Sequence, residues 1–269
     1  MDSGLLTLLK EERHVLNLVA LRLSVTTCYL FRNGERWVLV DTGYAEDWEL
    51  FKRRLGDANV DMNSISHLVL THHHDDHVGL IHELVAKNSR IVVTMCEATC
   101  ELLTAGRNDM SHGGGLINKR IAWLIGLKQL YVWLKTGKRQ RKADNLCFTS
   151  YIARPTDQVF SSEVSLQSLG IQAEGRIVVT PGHTVDSISI LFTDGDCLVG
   201  DAAAKMLTFA GTHNCVIFVT DLDQYYKSWK KLLAAGAKRI FPAHGGSFTA
   251  KQLLRNLGKN KAKDMVKTA

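Results

Sequence analysis

Histidine and aspartate are concentrated in one short segment, residues 71–79. It contains His72, His74, Asp76 and His77, four potential metal ligands within six residues. Imidazole nitrogens and carboxylate oxygens are ligands that zinc and related divalent cations accept. Because an apolar run that predicts a strand precedes them, two of these side chains can face one position and two a neighbouring one. The spacing predicts a loop that serves two adjacent cations and leaves each of them short of ligands.

Three further ligand candidates lie far along the chain, each directly after a predicted strand. They are His183 in Pro-Gly-His, Asp201 in Val-Gly-Asp and His244 in Ala-His-Gly. A neighbouring glycine lets the backbone bend sharply into a site. A single histidine beside glycine is usually only a turn residue, but the complete set in this order is not explained in that way. We therefore expect loops at one sheet edge to complete the site.

Such a site favours hydrolysis. Two dications bridged by one carboxylate lower the pKa of a shared water toward neutrality, because coordination stabilises hydroxide. That hydroxide can attack a carbonyl or phosphoryl centre, and Asp76 or solvent supplies the proton of the leaving group. The sequence has no Gly-x-Ser-x-Gly elbow, Walker A loop or Gly-x-Gly-x-x-Gly fingerprint, so the common rival chemistries lack their motifs.

Hydrophobic periodicity predicts the elements that position these residues. Strands over 15–23, 25–31 and 36–40 form an opening meander, with a tight turn at Asn33-Gly34. The later strands are predicted over 67–71, 91–94, 171–180, 187–193, 196–200 and 239–242, and helices over 47–55, 79–86, 97–104, 223–235 and 249–257. The basic tail after the last helix is expected to fray.

Residues 106–154 interrupt this alternation. A triple glycine at 113–115 precedes a strongly apolar helix, in which hydrophobic residues recur at near-helical spacing between Ile117 and Leu134. We expect a helical cap inserted into a single domain that spans residues 1–269. An apolar helix of this kind either covers the pocket as a lid or forms a homodimer interface, and both interpretations stay open.

Composition limits the partners. The chain has 269 residues, 45% of them hydrophobic, and only 3 prolines, which predicts one globular unit. The pattern of residues 1–14 predicts no secretory leader. The sequence has no apolar run long enough for a membrane and no Cys-x-x-Cys pair among the 6 cysteines. The net charge of +6 lies mainly in the inserted helix and the tail, without interleaved aromatics. We expect a cytoplasmic enzyme with a small-molecule substrate and neither nucleic acid nor membrane as a partner.

The pattern His72-x-His74-x-Asp76-His77, followed by a histidine, an aspartate and a histidine, resembles the metallo-β-lactamase superfamily over nearly the whole chain. The resemblance implies an α+β fold, a four-layer αββα sandwich of two mixed β-sheets flanked by helices. It assigns His72, His74 and His183 to a first metal, Asp76, His77 and His244 to a second, and Asp201 to both. Asp41, in the Asp-Thr-Gly turn, matches an aspartate that supports the segment 71–79, which we call the metal loop.

The same resemblance narrows the reaction. Histidine at position 74 argues against the di-iron oxidoreductase branch, and Asp201 argues against true β-lactamases. Ala204 stands where quorum-quenching lactonases commonly carry a tyrosine. The expected function is a binuclear hydrolase with two Zn²⁺ per chain, or Mn²⁺ or Fe²⁺ instead, that attacks the carbonyl of a small ester, lactone or thioester. The alternatives are a phosphodiesterase on the same site and a mononuclear iron persulfide dioxygenase.

Overall fold

A computed structural model describes residues 18–109, 111–136 and 147–267. Residues 15–17 of the first predicted strand and residues 137–146 of the predicted cap lie outside the described residues. In chain order the strands are β1 (Val19–Arg22), β2 (Thr27–Asn33), β3 (Arg36–Val40), β4 (Ile65–Val69), β5 (Val92–Cys96), β6 (Gly115–Leu116), β7 (Gln158–Phe160), β8 (Val164–Ser165), β9 (Gly175–Val179), β10 (Ile188–Phe192), β11 (Asp196–Gly200), β12 (Phe218–Val219), β13 (Arg239–Pro242), β14 (Phe248–Thr249) and β15 (Val266–Lys267). The helices are α1 (Trp48–Asp57), α2 (Asp75–Val78), α3 (Ile81–Lys87), α4 (Glu97–Leu103), α5 (Lys119–Thr136), α6 (Leu222–Ala234) and α7 (Ala250–Asn256).

Two six-stranded sheets form the frame. The first has the order β1-β2-β3-β4-β5-β7, with antiparallel pairing as far as β3 and parallel pairing from β3 onward. The second has the order β14-β13-β11-β10-β9-β8, in which only β11 and β13 pair in parallel. Every residue of the parallel strand β4 is buried, because both faces of that sheet are covered. Both sheets are mixed, as the resemblance implied.

Apolar side chains fill three layers. Between the sheets, the rings of Phe31 and Phe192 meet edge to face with their centroids 5.0 Å apart. A second cluster packs the first sheet against α1 and α3 and includes Phe51 and Leu84. A third packs the second sheet against α6, whose Trp229 is fully buried. This helix, sheet, sheet, helix order confirms the predicted αββα sandwich.

Strand direction brings the loops that carry chemistry to one edge. Since β9 and β11 both pair antiparallel with β10, they run the same way, and β13 runs parallel to β11. The loops after these three strands carry His183, Asp201 and His244. In the first sheet the parallel strands β3 and β4 end just before Asp41 and the loop 70–77.

The two sheets approach each other closely at Thr71. The amide of Ile188 donates a hydrogen bond to the Thr71 carbonyl at 2.9 Å. Gly200 has a φ of +48°, and a Cβ atom there would lie 2.5 Å from Thr71 Oγ1. Both the conformation and the space therefore require glycine immediately before Asp201.

The helix predicted within residues 106–154 is α5, and the strand β6 precedes it. Asn118 caps this helix, since its Oδ1 accepts a hydrogen bond from the Ile121 amide at 2.9 Å. Ile117 and Ile121 are buried against the C-terminal half, whereas Trp123 and Leu127 are exposed. The cap and the homodimer stay predictions.

The prediction that the basic tail frays is wrong. Strand β15 pairs antiparallel with β6, which also pairs with β12, so that the three form a small third sheet. Asn260 is buried; its amide donates to Tyr226 Oη at 3.0 Å and its Nδ2 donates to the Thr212 carbonyl at 2.8 Å. These hydrogen bonds leave no periodic pattern in the sequence. The basic composition of the segment therefore led to the wrong prediction that it frays.

All six cysteines are free thiols. Cys28, Cys197 and Cys215 are buried. Within the described residues, no helix combines the length and the apolar character that crossing a lipid bilayer requires.

Candidate metal centre

The structure brings all seven predicted ligands together at the shared sheet edge. Their ligand atoms form three groups, and within each group the atoms lie within 4.8 Å of one another. The groups are His72, His74 and His183, then His72, His77 and Asp201, and finally Asp76, His77 and His244. The first and third match the two sets that the resemblance assigned, and the second links them. The donor set suits neighbouring cations.

Four of the five imidazoles are held through Nδ1. The partners are Thr71 Oγ1 for His72 at 3.1 Å, Asp41 Oδ2 for His77 at 2.9 Å, the Phe218 carbonyl for His183 at 3.0 Å and the Val25 carbonyl for His244 at 3.0 Å. A neutral imidazole that donates from Nδ1 keeps an unprotonated Nε2, and the outer hydrogen bond fixes the orientation of the ring. Histidine ligands of metals are typically held in this way.

Several atoms of the cluster lack a hydrogen-bond partner among the described residues. They are the Nε2 atoms of His72, His74 and His77, together with Oδ1 of Asp201, and all are buried. An unpaired buried polar atom costs about 1–3 kcal/mol. A divalent cation would satisfy converging nitrogen and oxygen lone pairs at once, so these residues fit a metal.

Three imidazoles are neutral. Burial, and then the neighbouring imidazoles, lower the pKa of His72 and of His74 well below the ordinary histidine value. Burial also lowers the pKa of His183. Nδ1 of His74 and Nε2 of His183 lie 3.0 Å apart. Neutral histidine is the form that binds metals, so no proton has to leave these three rings first.

The other half of the cluster is charged. Burial alone would lower the pKa of His77 and of His244, but the nearby Asp76 and Asp201 raise both well above the ordinary value. Burial alone would raise the pKa of the two aspartates, but the two histidines lower both. His244 Nε2 lies 3.3 Å from Asp76 Oδ2 and 3.2 Å from Asp201 Oδ1. The carboxylates are thus ionised and attract positive charge.

Asp41 holds the metal loop from behind. Its Oδ1 accepts a hydrogen bond from the Thr71 amide at 2.8 Å, and its Oδ2 accepts from Thr71 Oγ1 at 2.7 Å and from His77 Nδ1 at 2.9 Å. Its φ of 59° lies in the left-handed region, which costs a non-glycine residue roughly 1–3 kcal/mol. The three hydrogen bonds offset that cost at the place where the loop begins.

Sequence reasoning missed the role of Asp186 and left His73 without one. The fully buried carboxylate of Asp186 accepts from the His73 amide at 2.9 Å, from His73 Nδ1 at 3.0 Å and from Thr99 Oγ1 at 2.8 Å. His73 Nε2 in turn accepts from the Asp109 amide at 2.9 Å. This pair joins the metal loop to the His183 loop and to the segment before the inserted helix. The available signal was the position of Asp186, three residues after His183.

Two further contacts support the aspartates. Thr26 Oγ1 donates to Asp76 Oδ2 at 3.0 Å, and Tyr225 Oη donates to the Asp201 carbonyl at 2.9 Å. Neither residue lies in a motif, so nothing in the sequence marked them. His112, beside the triple glycine, pairs with Asp109 at 2.7 Å on the surface.

A four-layer αββα sandwich with a histidine and aspartate cluster at one edge is the arrangement of a class of metal-binding proteins. The family model described as the metallo-beta-lactamase superfamily matches residues 21–244. The chain therefore belongs to the metallo-beta-lactamase superfamily.

Individual relatives agree with this assignment. The chain is similar to the beta-lactamase-like protein 2 homolog of Drosophila melanogaster, with 29% identity over 84% of this chain and 60% of that protein. It spans less than two thirds of that relative. A shorter match, 38% identical over 28% of this chain and 22% of the relative, is to thioesterase pkgB of Emericella nidulans. A metallo-beta-lactamase family protein of Thermus thermophilus has the same fold, with a TM-score of 0.60, 18% identity and coverage of 90% of this chain and 76% of that one.

Proposed function

We propose that this chain is a binuclear hydrolase that attacks the carbonyl carbon of a small ester, lactone or thioester and cleaves its acyl C–O or C–S bond. The observation that carries the proposal is the anchoring of four imidazoles through Nδ1, which directs their Nε2 atoms to a cluster that also contains two ionised carboxylates. His72, His74 and His183 would hold one cation, and Asp76, His77 and His244 the other. Asp201 would contact both.

When bound, two zinc ions would supply Lewis acidity and make water nucleophilic at neutral pH. The protein's own residues position and move protons. Asp76 is 13% exposed at its side chain, so it can meet solvent and substrate. Its ionised carboxylate can accept a proton from the attacking water and return it to the leaving group. The hydrogen bond from Thr26 Oγ1 holds Asp76 Oδ2 for that transfer.

Among carbonyl substrates, a thioester has the best support. The similarity to a protein named a thioesterase favours it. Ala204, which stands where the lactonases carry a tyrosine, is fully buried. Its amide donates to the Asn214 carbonyl at 2.9 Å and its carbonyl accepts from Asn214 Nδ2 at 3.0 Å. This position therefore offers no phenol to a lactone carbonyl.

The test begins with protein purified without added metal. Its metal content per chain is measured, and the same sample is assayed against a lactone, a thioester and a phosphodiester. We expect nearly two zinc ions per chain and hydrolysis of the thioester, lost on chelation and restored by zinc. Hydrolysis of the phosphodiester alone would move the proposal to a phosphodiesterase. One iron per chain without any hydrolysis would overturn it in favour of a persulfide dioxygenase.

A further inference from the structure

A cavity with a volume of about 300 Å³ lies apart from the metal ligands, and we call it the basic pocket. Its lining includes three cations and three amide side chains. They are Lys205, Arg255 and Lys259, and Asn214, Gln252 and Asn256. No carboxylate lines this cavity in the part of the chain that the structure describes. The wall thus offers hydrogen-bond donors of one charge sign, the arrangement that an anion requires.

Among the described residues, the three cations have no charge partners elsewhere either. The ion pairs of lysine and arginine that the structure describes involve other side chains. Lys205 Nζ donates a hydrogen bond to the Ser247 carbonyl at 3.4 Å. Like charges around one cavity repel each other, and an anion bound between them would remove that repulsion.

The walls of the basic pocket are fixed to each other. Asn256, at the end of α7, donates from Nδ2 to Asn214 Oδ1 at 2.6 Å. Asn214 is buried, has a φ of 68° and donates from its own Nδ2 to the Ala204 carbonyl. Asparagine tolerates this left-handed conformation, and the two hydrogen bonds of its side chain fix its orientation. The helix that carries Arg255 is therefore locked to the loop that carries Lys205.

That loop also leads directly to the candidate metal centre. Lys205 lies four residues after Asp201, and its amide donates to the His244 carbonyl at 2.8 Å. Lys205 further forms an isolated parallel bridge with Gly245, whose lack of a side chain permits the close packing of the two backbones. One wall of the basic pocket is thus continuous with two candidate ligands. The loop after Asp201 connects the candidate metal centre to the basic pocket along the chain.

We propose that the basic pocket binds a phosphate group carried by the substrate, so that the natural substrate is a phosphate-bearing thioester or ester. This inference rests on the proposed hydrolase function. A phosphate carries up to two negative charges and several acceptor oxygens, which match one guanidinium and two ammonium groups. A single carboxylate would leave much of that charge uncompensated.

The decisive experiment compares two substrates that differ only in the phosphate, S-hexanoyl phosphopantetheine and S-hexanoyl pantetheine. The zinc-loaded enzyme should have a KM about tenfold or more lower for the phosphorylated substrate, with similar kcat, because charge-assisted hydrogen bonds are lost without it. In the double variant Arg255→Gln/Lys259→Gln this difference should vanish. The control Lys251→Gln removes an exposed charge from the same helix but not from the basic pocket, and should keep the difference.

Calorimetry with methyl phosphate separates this inference from the proposed function. The zinc-loaded enzyme and Lys251→Gln should bind methyl phosphate, and the double variant should not. This result would support the basic pocket even if neither thioester is hydrolysed. The absence of hydrolysis would then contradict only the hydrolase proposal. Equal KM values for the two substrates would overturn the inference. Any phosphate bound in the basic pocket would then be a free anion and not part of the substrate. Binding that survives in the double variant would assign the phosphate to the metals and overturn it too.

Discussion

The two halves of the molecule supply candidate ligands in different ways. In the N-terminal half, a single loop after β4 contributes His72, His74, Asp76 and His77. In the C-terminal half, three separate loops contribute one ligand each, and much of the second sheet must form before these ligands meet. The first arrangement is written locally in the sequence. The second depends on the direction and order of strands β9, β11 and β13.

This difference has a physical consequence. A single loop needs support along its own length, and Asp41 supplies it through Thr71 and His77. Separate loops need hydrogen bonds that fix them to the rest of the protein. The acceptors are the Val25 carbonyl for His244, the Phe218 carbonyl for His183 and the Asp186 carboxylate for His73. We therefore expect substitutions in the two halves to damage the site in distinguishable ways.

Asp201→Asn should have the largest effect. The substitution keeps the size of the side chain but removes the single carboxylate among the three C-terminal ligands. We expect thioester hydrolysis to fall on the order of a thousandfold, because several kcal/mol of metal-dependent stabilisation depend on this group. Metal analysis should show fewer than two ions per chain. The control Asp223→Asn changes an exposed aspartate at the start of α6 and should leave both values unchanged. Full activity in Asp201→Asn would refute a role for this residue in holding both cations.

Asp41→Asn tests the single loop. Asparagine tolerates the left-handed backbone, but its Nδ2 cannot accept the hydrogen bonds from Thr71 Oγ1 and His77 Nδ1. Metal affinity should weaken about 10–100-fold, as it does when a supporting partner of a metal ligand is lost. Competition against a chromophoric chelator measures it. Asp57→Asn, on the exposed end of α1, is the matched control. An unchanged affinity would mean that the loop holds its shape without Asp41.

The same comparison explains what the sequence could predict. The metal loop can be predicted from the sequence because its four ligands are close neighbours. Strand β4 can be predicted because all five of its residues are buried. The pair of His73 and Asp186 is not readable, since 113 residues separate its members and each resembles an ordinary polar residue. The strands β6, β12 and β15 have two residues each, too few to show any period. The basic pocket arises from three segments that only the fold brings together.

Asp186→Asn tests the hydrogen bonds between His73 and Asp186, which connect the two halves. Asparagine would present an NH₂ group to one of three donors, so a buried donor loses its acceptor. We expect the free energy of unfolding to fall by about 1–3 kcal/mol, and metal affinity to weaken about tenfold. Thr99→Val removes one donor to the same carboxylate and should cost only about 1 kcal/mol, with little change in metal affinity. A loss of stability in Asp186→Asn without any loss of affinity would make this residue purely structural.

Asp157→Asn should have the smallest effect and should separate the scaffold from the site. The buried carboxylate of Asp157 accepts from Tyr151 Oη at 2.6 Å, from the Val93 amide at 3.1 Å and from Arg154 Nη2 at 2.7 Å, and none of these partners is a candidate ligand. Burial alone would raise the pKa of Asp157, but Arg154 and Tyr151 lower it below the ordinary value.

A group with a lowered folded-state pKa stabilises the fold above its unfolded pKa, and that stability is lost as the pH falls through the folded pKa. In urea unfolding, the variant should be less stable than the parent by about 1–2 kcal/mol at pH 7, and the difference should shrink below about pH 4. Metal content at pH 7 should stay unchanged. A difference that is the same at both pH values would mean that the hydrogen-bonding shape of Asp157, and not its charge, holds β5 to β7.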